Sequence, residues 1–137
     1  MTQVTVTDSF DHSAAAVWPV VSDFGGLHKY MRGMEPYPVV GSGIGQDRSL
    51  PMAGGEVVER LTWLDNDAMA FSYTIISGPL PFERYVATVK LSADGARTGI
   101  EWQGNFEPAG VTEEEASTLA NKIYAGAIKG FKKALEG

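Results

Sequence analysis

A change of period near residue 110 constrains this chain more than any other feature. Up to Phe106 the apolar residues fall in short alternating runs. From Thr112 onward they recur at helical spacing, at Ala116, Leu119, Ala120, Ile123, Ala127, Phe131 and Ala134. Thr112 and Glu115 make a T-x-x-E capping box that marks where the helix begins. Glu113 and Glu114 suit the positive end of its dipole. A helix over 112–136 is about 37 Å long at 1.5 Å per residue.

Everything from 36 to 106 reads as β. Residues 3–10 alternate as a first strand, and AAAVWPVVSDF after it reads as a short helix that Pro19 kinks or shortens. Gly25-Gly26 ends that helix, and Leu27–Met31 suits a further helical turn. Then come PYPVVG, a strand-like stretch within GSGIGQDRSLPM, and runs at 56–64, 69–76, 85–91 and 98–106. Asp94-Gly95 is a hairpin signal between the last two. The layout is about six strands in an antiparallel meander. A twisted sheet of this kind must bury one face, and the closing helix is the only large element available to cover it.

Composition narrows the function classes. The chain has 137 residues, 44% of them hydrophobic, and no cysteine, which excludes disulfides, thiolate chemistry and cysteine-ligated zinc. The net charge of −6 argues against nucleic acid as a partner. The basic cluster Lys129, Lys132 and Lys133 suits the negative end of the last helix. No run approaches the roughly 18 apolar residues of a membrane span. No leader segment is read at the N-terminus, and a cytoplasmic protein is expected. No H-E-x-x-H, P-loop or G-x-S-x-G pattern occurs, so neither a metal nor a cofactor is expected.

The last helix carries small residues, Ala120, Gly126, Ala127 and Gly130, facing strands rich in Tyr73, Tyr85 and Trp63. Small residues on a buried stripe allow either tight packing against the sheet or room for a guest. Buried hydroxyls need partners, which a ligand or water supplies. Strand alternation sorts the candidates. With Glu59 inward, Val57, Leu61 and Trp63 share its face. Tyr73 brings Phe71 and Ile75, and Tyr85 brings Ala87 and Val89. The last strand has two readings, with either Glu101, Gln103 and Asn105 inward, or Trp102 and Phe106. The stretch ISGPLPFERY at 76–85 puts Leu80 and Phe82 in an apparent loop, where apolar side chains must lie against something.

The segments AAAVWPVVSDFGGL, ERLTWLDND and FSYTIISGPLPFERYVATVKL resemble the START-like, Bet v 1-like (SRPBCC) superfamily, in particular its polyketide cyclase/dehydrase and lipid-transport group. The resemblance covers nearly the whole chain and implies one domain over 1–137. It implies an α+β helix-grip fold: a curved seven-stranded antiparallel sheet around a long C-terminal helix, with two short helices after the first strand. The sequence is also similar to the plant abscisic acid receptors. That likeness implies a gate at Ser49, Leu50, Pro51 and Met52 and a latch at Ser77–Leu80. It implies cavity positions at Glu59, Tyr85, Glu101, Ile123 and Ala127. Glu35 stands near those receptors' carboxylate-binding lysine, and Leu80 and Pro81 replace the latch histidine and arginine, so that hormone and anions in general are not expected as ligands.

The function expected is binding of a small apolar or amphipathic molecule by Leu50, Pro51, Val57, Glu59, Leu61, Phe71, Tyr73, Ile75, Leu80, Tyr85, Glu101, Leu119, Ile123 and Ala127. Leu80 and Phe82 are expected across the mouth, opposite Leu50, Pro51 and Met52. The alternative is a cyclase or dehydratase in which a desolvated Glu59 exchanges protons and Tyr85 or Tyr73 holds an enolate oxygen. His28 is a weaker acid–base candidate. A monomer or weak homodimer is expected.

Overall fold

The computed structural model describes residues 1–52 and 54–136. β1 (Thr2–Phe10) leads into α1 (Ala14–Val21) and a 3-10 turn (Phe24–Lys29). Next come β2 (Val39–Val40), β3 (Asp47–Met52), β4 (Gly55–Asp65), β5 (Ala70–Ser77), β6 (Phe82–Asp94) and β7 (Arg97–Pro108), and α2 (Glu113–Glu136) closes the chain. The strands form one curved seven-stranded sheet in the order β1-β7-β6-β5-β4-β3-β2, and every neighbouring pair is antiparallel. This is the helix-grip arrangement expected from the sequence.

The capping box forms as read: Glu115 N–H donates to Thr112 Oγ1 and Thr112 N–H to Glu115 Oε1, both at 3.1 Å. The 24 residues of α2 make a rod about 36 Å long, which lies against β1 and β7. Its buried stripe is Ala116, Ala120, Tyr124, Ile128 and Phe131. The core joins this stripe to the inner face of the sheet and to Val17, Val21 and Phe24.

Three register shifts bend the strands. They fall between Val58 and Glu59, between Leu61 and Trp63, and between Glu83 and Val86. Each inserts an unpaired residue and so changes which side chains face inward. The second explains a departure from simple alternation. Val57, Glu59 and Leu61 are buried together, but Trp63 is 43% exposed and Leu64 packs on the core instead. The third coincides with Arg84, which has a positive φ of 51°.

Candidate functional site

Four polar side chains meet in the middle of the apolar core. Tyr73 comes from β5, Tyr85 from β6, Trp102 from β7 and Tyr124 from α2. The indole N–H of Trp102 donates to Tyr73 Oη at 3.2 Å. Tyr73 Oη and Tyr85 Oη are 3.4 Å apart, and Tyr85 Oη and Tyr124 Oη 2.5 Å. The Tyr124 ring stacks on the Trp102 indole, with centroids 5.3 Å apart and planes at 14°. Its hydroxyl lies over Gly104, only 2.0 Å from where a β-carbon there would be. A glycine in the middle of β7 therefore makes room for the phenol.

The cluster holds more donors than it can use internally. One indole N–H and three phenolic O–H groups supply four hydrogens for three hydrogen bonds. One hydroxyl hydrogen has no acceptor within the cluster, whichever way the phenols turn. Burial, with the Glu59 charge next in importance, holds the Tyr73 hydroxyl well above the ordinary tyrosine range. Burial does the same to Tyr85 and pushes Tyr124 up to about 12. All three phenols are protonated donors at neutral pH.

Beside this cluster lies an ion pair. Glu59 on β4 is 7% exposed and Arg48 on β3 5%. Arg48 Nε donates to Glu59 Oε1 at 2.8 Å, and Nη2 lies 2.8 Å from the same oxygen. Arg48 Nη1 donates to the Phe24 carbonyl at 2.9 Å, and the guanidinium covers the Phe24 ring at 3.9 Å from its centroid. It also lies 5.4 Å from the Tyr73 ring centroid, so the pair adjoins the phenols. The inward Glu59 of the sequence reading is present, but it is not a free acid–base group. The sequence reading passed over Arg48. Its signal was parity: Arg48 and Leu50 are two apart on one strand, and Leu50 is also buried.

The hairpin tips approach each other at one end of this interior. A β-carbon on Gly54, at the β3–β4 turn, would lie 3.6 Å from Pro79 of the β5–β6 loop. One on Gly78 would lie 2.8 Å from the Val57 Cα, so that loop rides close on β4. Leu80 is half-buried against the core. Phe82 is not part of a lid. It begins β6, stacks on Tyr85 with centroids 5.4 Å apart, and packs at a tilt against Phe106 with centroids 4.5 Å apart. Its apparent place in a loop came from a strand read as starting at Tyr85, whereas β6 starts at Phe82. A cleft of about 390 Å³ runs beside Pro51, lined also by Met31, Arg32, Gly33, Met34 and Glu35. Pro51 itself is exposed. His28 packs edge-on against Tyr37, with centroids 5.3 Å apart.

The remaining expected residues divide by face. Val57, Leu61, Phe71, Tyr73 and Tyr85 are buried on the inner face, and Ile75, Leu119 and Ala127 are half-buried around the core. Glu101 belongs to the outer face. It sits opposite Lys90 and Thr7 on the neighbouring strands and is exposed, while Ile100, Trp102 and Phe106 turn inward. Ile123 is 38% exposed, one position round the helix from Tyr124. The small-residue stripe is not a floor for a void either. Gly126 faces open space, and a β-carbon on Gly130 would come 2.5 Å from the Met31 sulfur, so Gly130 allows close packing. Tyr124, 1% exposed, fills the middle of the interface that the alanines leave open. Its polar tip hid it from an apolar-periodicity reading, although it continues the spacing of Ala116 and Ala120.

Over residues 1–136 the sequence matches the family described as polyketide cyclase / dehydrase and lipid transport. No curated protein matches it. Among solved structures the chain is similar to the protein XoxI from Bacillus cereus, with 24% identity, a TM-score of 0.87 and coverage of 98% of this chain and 96% of that one. It is similar to a START superfamily protein from Mycobacterium smegmatis, with 14% identity, a TM-score of 0.81 and coverage of 99% and 98%. It is also similar to a norcoclaurine synthase point mutant from Thalictrum, solved with a transition-state analogue, at 18% identity, a TM-score of 0.79 and coverage of 98% and 93%.

Proposed function

The chain belongs to the polyketide cyclase / dehydrase and lipid transport family, and from that premise we propose that it binds a small apolar or amphipathic molecule carrying an acceptor oxygen. The ligand lies between the inner face of the sheet and α2, with its oxygen at the Tyr73, Tyr85 and Tyr124 hydroxyls. The single observation behind this reading is the surplus donor: the cluster has four hydrogens for its three hydrogen bonds, with mostly apolar side chains around it. A ketone, ester or hydroxyl oxygen satisfies that donor, and an apolar body suits the surrounding side chains. Tyr124 fills the middle of this interface, so uptake requires its ring to shift. The cleft at Pro51, below the hairpin tips, is the way in.

Titration with N-phenyl-1-naphthylamine, together with native mass spectrometry of the purified protein, tests this reading. The expected result is saturable one-to-one binding, weakened about tenfold or more by Ala127→Trp, which narrows the helix–sheet gap with the fold kept. Absence of saturable binding, or equal binding by Ala127→Trp, would remove the site from this interface.

The enzymatic alternative is favoured at Tyr85 more than at Glu59. Protonated phenols in a dry interior are suited to hydrogen-bonding an enolate oxygen as charge develops on it. Glu59 is the weaker candidate because Arg48 stabilises its carboxylate, with two contacts on Oε1. On this reading Tyr85→Phe slows ring closure of a polyketone substrate by a much larger factor than it weakens binding.

A further inference from the structure

The Arg48–Glu59 pair is an unusual thing to keep inside a small sheet. Both side chains are almost fully buried, at 6% and 9% exposure. Two charges taken out of water lose hydration that their mutual attraction rarely returns in full, and apolar pairs of like volume commonly serve stability as well or better. The pair also sits where a ligand's polar group would lie, since the Arg48 guanidinium is 5.4 Å from the Tyr73 ring and Tyr73 is bonded into the phenol cluster. Arg48 has its carbonyl acceptor at Phe24 and its aromatic support from the same residue, independently of Glu59. It is thus a prebuilt anion receptor whose anion is supplied by the chain itself.

The two charges are not felt equally at the phenols. The Glu59 carboxylate raises the proton affinity of Tyr73 more than Arg48 lowers it, and it acts on Tyr124 as well. The Glu59 charge therefore opposes a second negative charge at the Tyr73 and Tyr124 hydroxyls. We propose that Glu59 sets the charge of the ligand: its carboxylate occupies the anion-binding edge of Arg48, so the interior accepts neutral oxygen-bearing molecules and rejects carboxylates, and neutralising Glu59 turns Arg48 into a carboxylate anchor. This rests on the reading that the ligand lies against Tyr73, Tyr85 and Tyr124.

The test uses two probes of one shape, cis-parinaric acid and its methyl ester, titrated by fluorescence into the full chain. Wild type binds the ester about tenfold or more tightly than the acid. Glu59→Gln moves the acid-to-ester affinity ratio about tenfold or more toward the acid, and Arg48→Met/Glu59→Gln, which lacks the anchor, gives back most of that shift. The apolar pair Arg48→Met/Glu59→Leu keeps the fold, binds the ester, and binds the acid with a smaller penalty than wild type because the repelling charge is gone. Should Glu59→Gln fail to fold, this last comparison carries the test. An acid-to-ester ratio unchanged by folded Glu59→Gln, or by the apolar pair, overturns the proposal while leaving ligand binding intact. Failure of every variant and of wild type to bind the ester removes the binding reading itself, and this inference with it.

Discussion

Arg48–Glu59 and the Tyr73–Tyr85–Tyr124 cluster both put polar atoms behind the inner face of the sheet, but only the first puts charge there. The phenols are neutral, share hydrogen bonds among themselves, and carry one more hydrogen than the cluster itself can accept. The pair is closed on its Arg48 side: Nε and Nη2 both fall on one Glu59 oxygen and Nη1 holds the Phe24 carbonyl. The open cluster is suited to receiving a ligand atom and the closed pair to deciding which atoms are refused. Hydrogen bonds between neutral groups can be exchanged for others at little net change, whereas a buried charge without its partner is expensive. That asymmetry orders the expected effects of mutation.

Breaking the closed pair has the largest effect. Glu59→Leu leaves Arg48 buried and unpaired and is expected to lower stability by about 3–5 kcal/mol in urea denaturation. Adding Arg48→Met restores most of that loss, because the pair is then replaced by apolar volume. A single variant as stable as wild type would show that water reaches Arg48 and that the pair is not closed in solution.

High pH attacks the open cluster next. Burial raises the folded pKa of Tyr124 to about 12 and also raises those of Tyr73 and Tyr85. A raised folded pKa contributes stability that is fully present below the unfolded value and lost as pH rises through the folded one. This contribution is therefore constant up to about pH 10 and falls from there toward about pH 12, with Tyr124 alone accounting for roughly 3 kcal/mol. Urea midpoints measured across this window check the sign, and Tyr124→Phe makes the fall shallower. Tyr85→Phe is milder near neutral pH. It removes the shared partner of Tyr73 and Tyr124 and costs about 1–2 kcal/mol.

Most of the architecture was legible because it depends on period and punctuation. The T-x-x-E box, the change from alternation to helical spacing and the Asp94-Gly95 turn are local signals, and each element formed where they pointed. The candidate site was legible only in part, because it depends on parity. Glu59, Tyr73 and Tyr85 could be assigned from their apolar strand neighbours, but the bulge after Leu61 turned Trp63 outward, and nothing in the local residues announces a bulge. Gly104 and Tyr124 were invisible for a different reason. Each explains the other only after the sheet has brought them together, across twenty positions of sequence.

Glu101 gives the sharpest control for the comparison, since it is the same residue type as Glu59 on the opposite face of the same sheet. It lies opposite Lys90 in the β6–β7 ladder and is exposed. Exposed cross-strand charge pairs contribute little, so Glu101→Gln is expected to change stability by no more than about 0.5 kcal/mol. It should also leave the binding of N-phenyl-1-naphthylamine unchanged, because the sheet backbone separates it from the phenols. A loss of binding in Glu101→Gln comparable to that in Ala127→Trp would mean that the outer face takes part in recognition, and that the difference between the two glutamates is not one of burial.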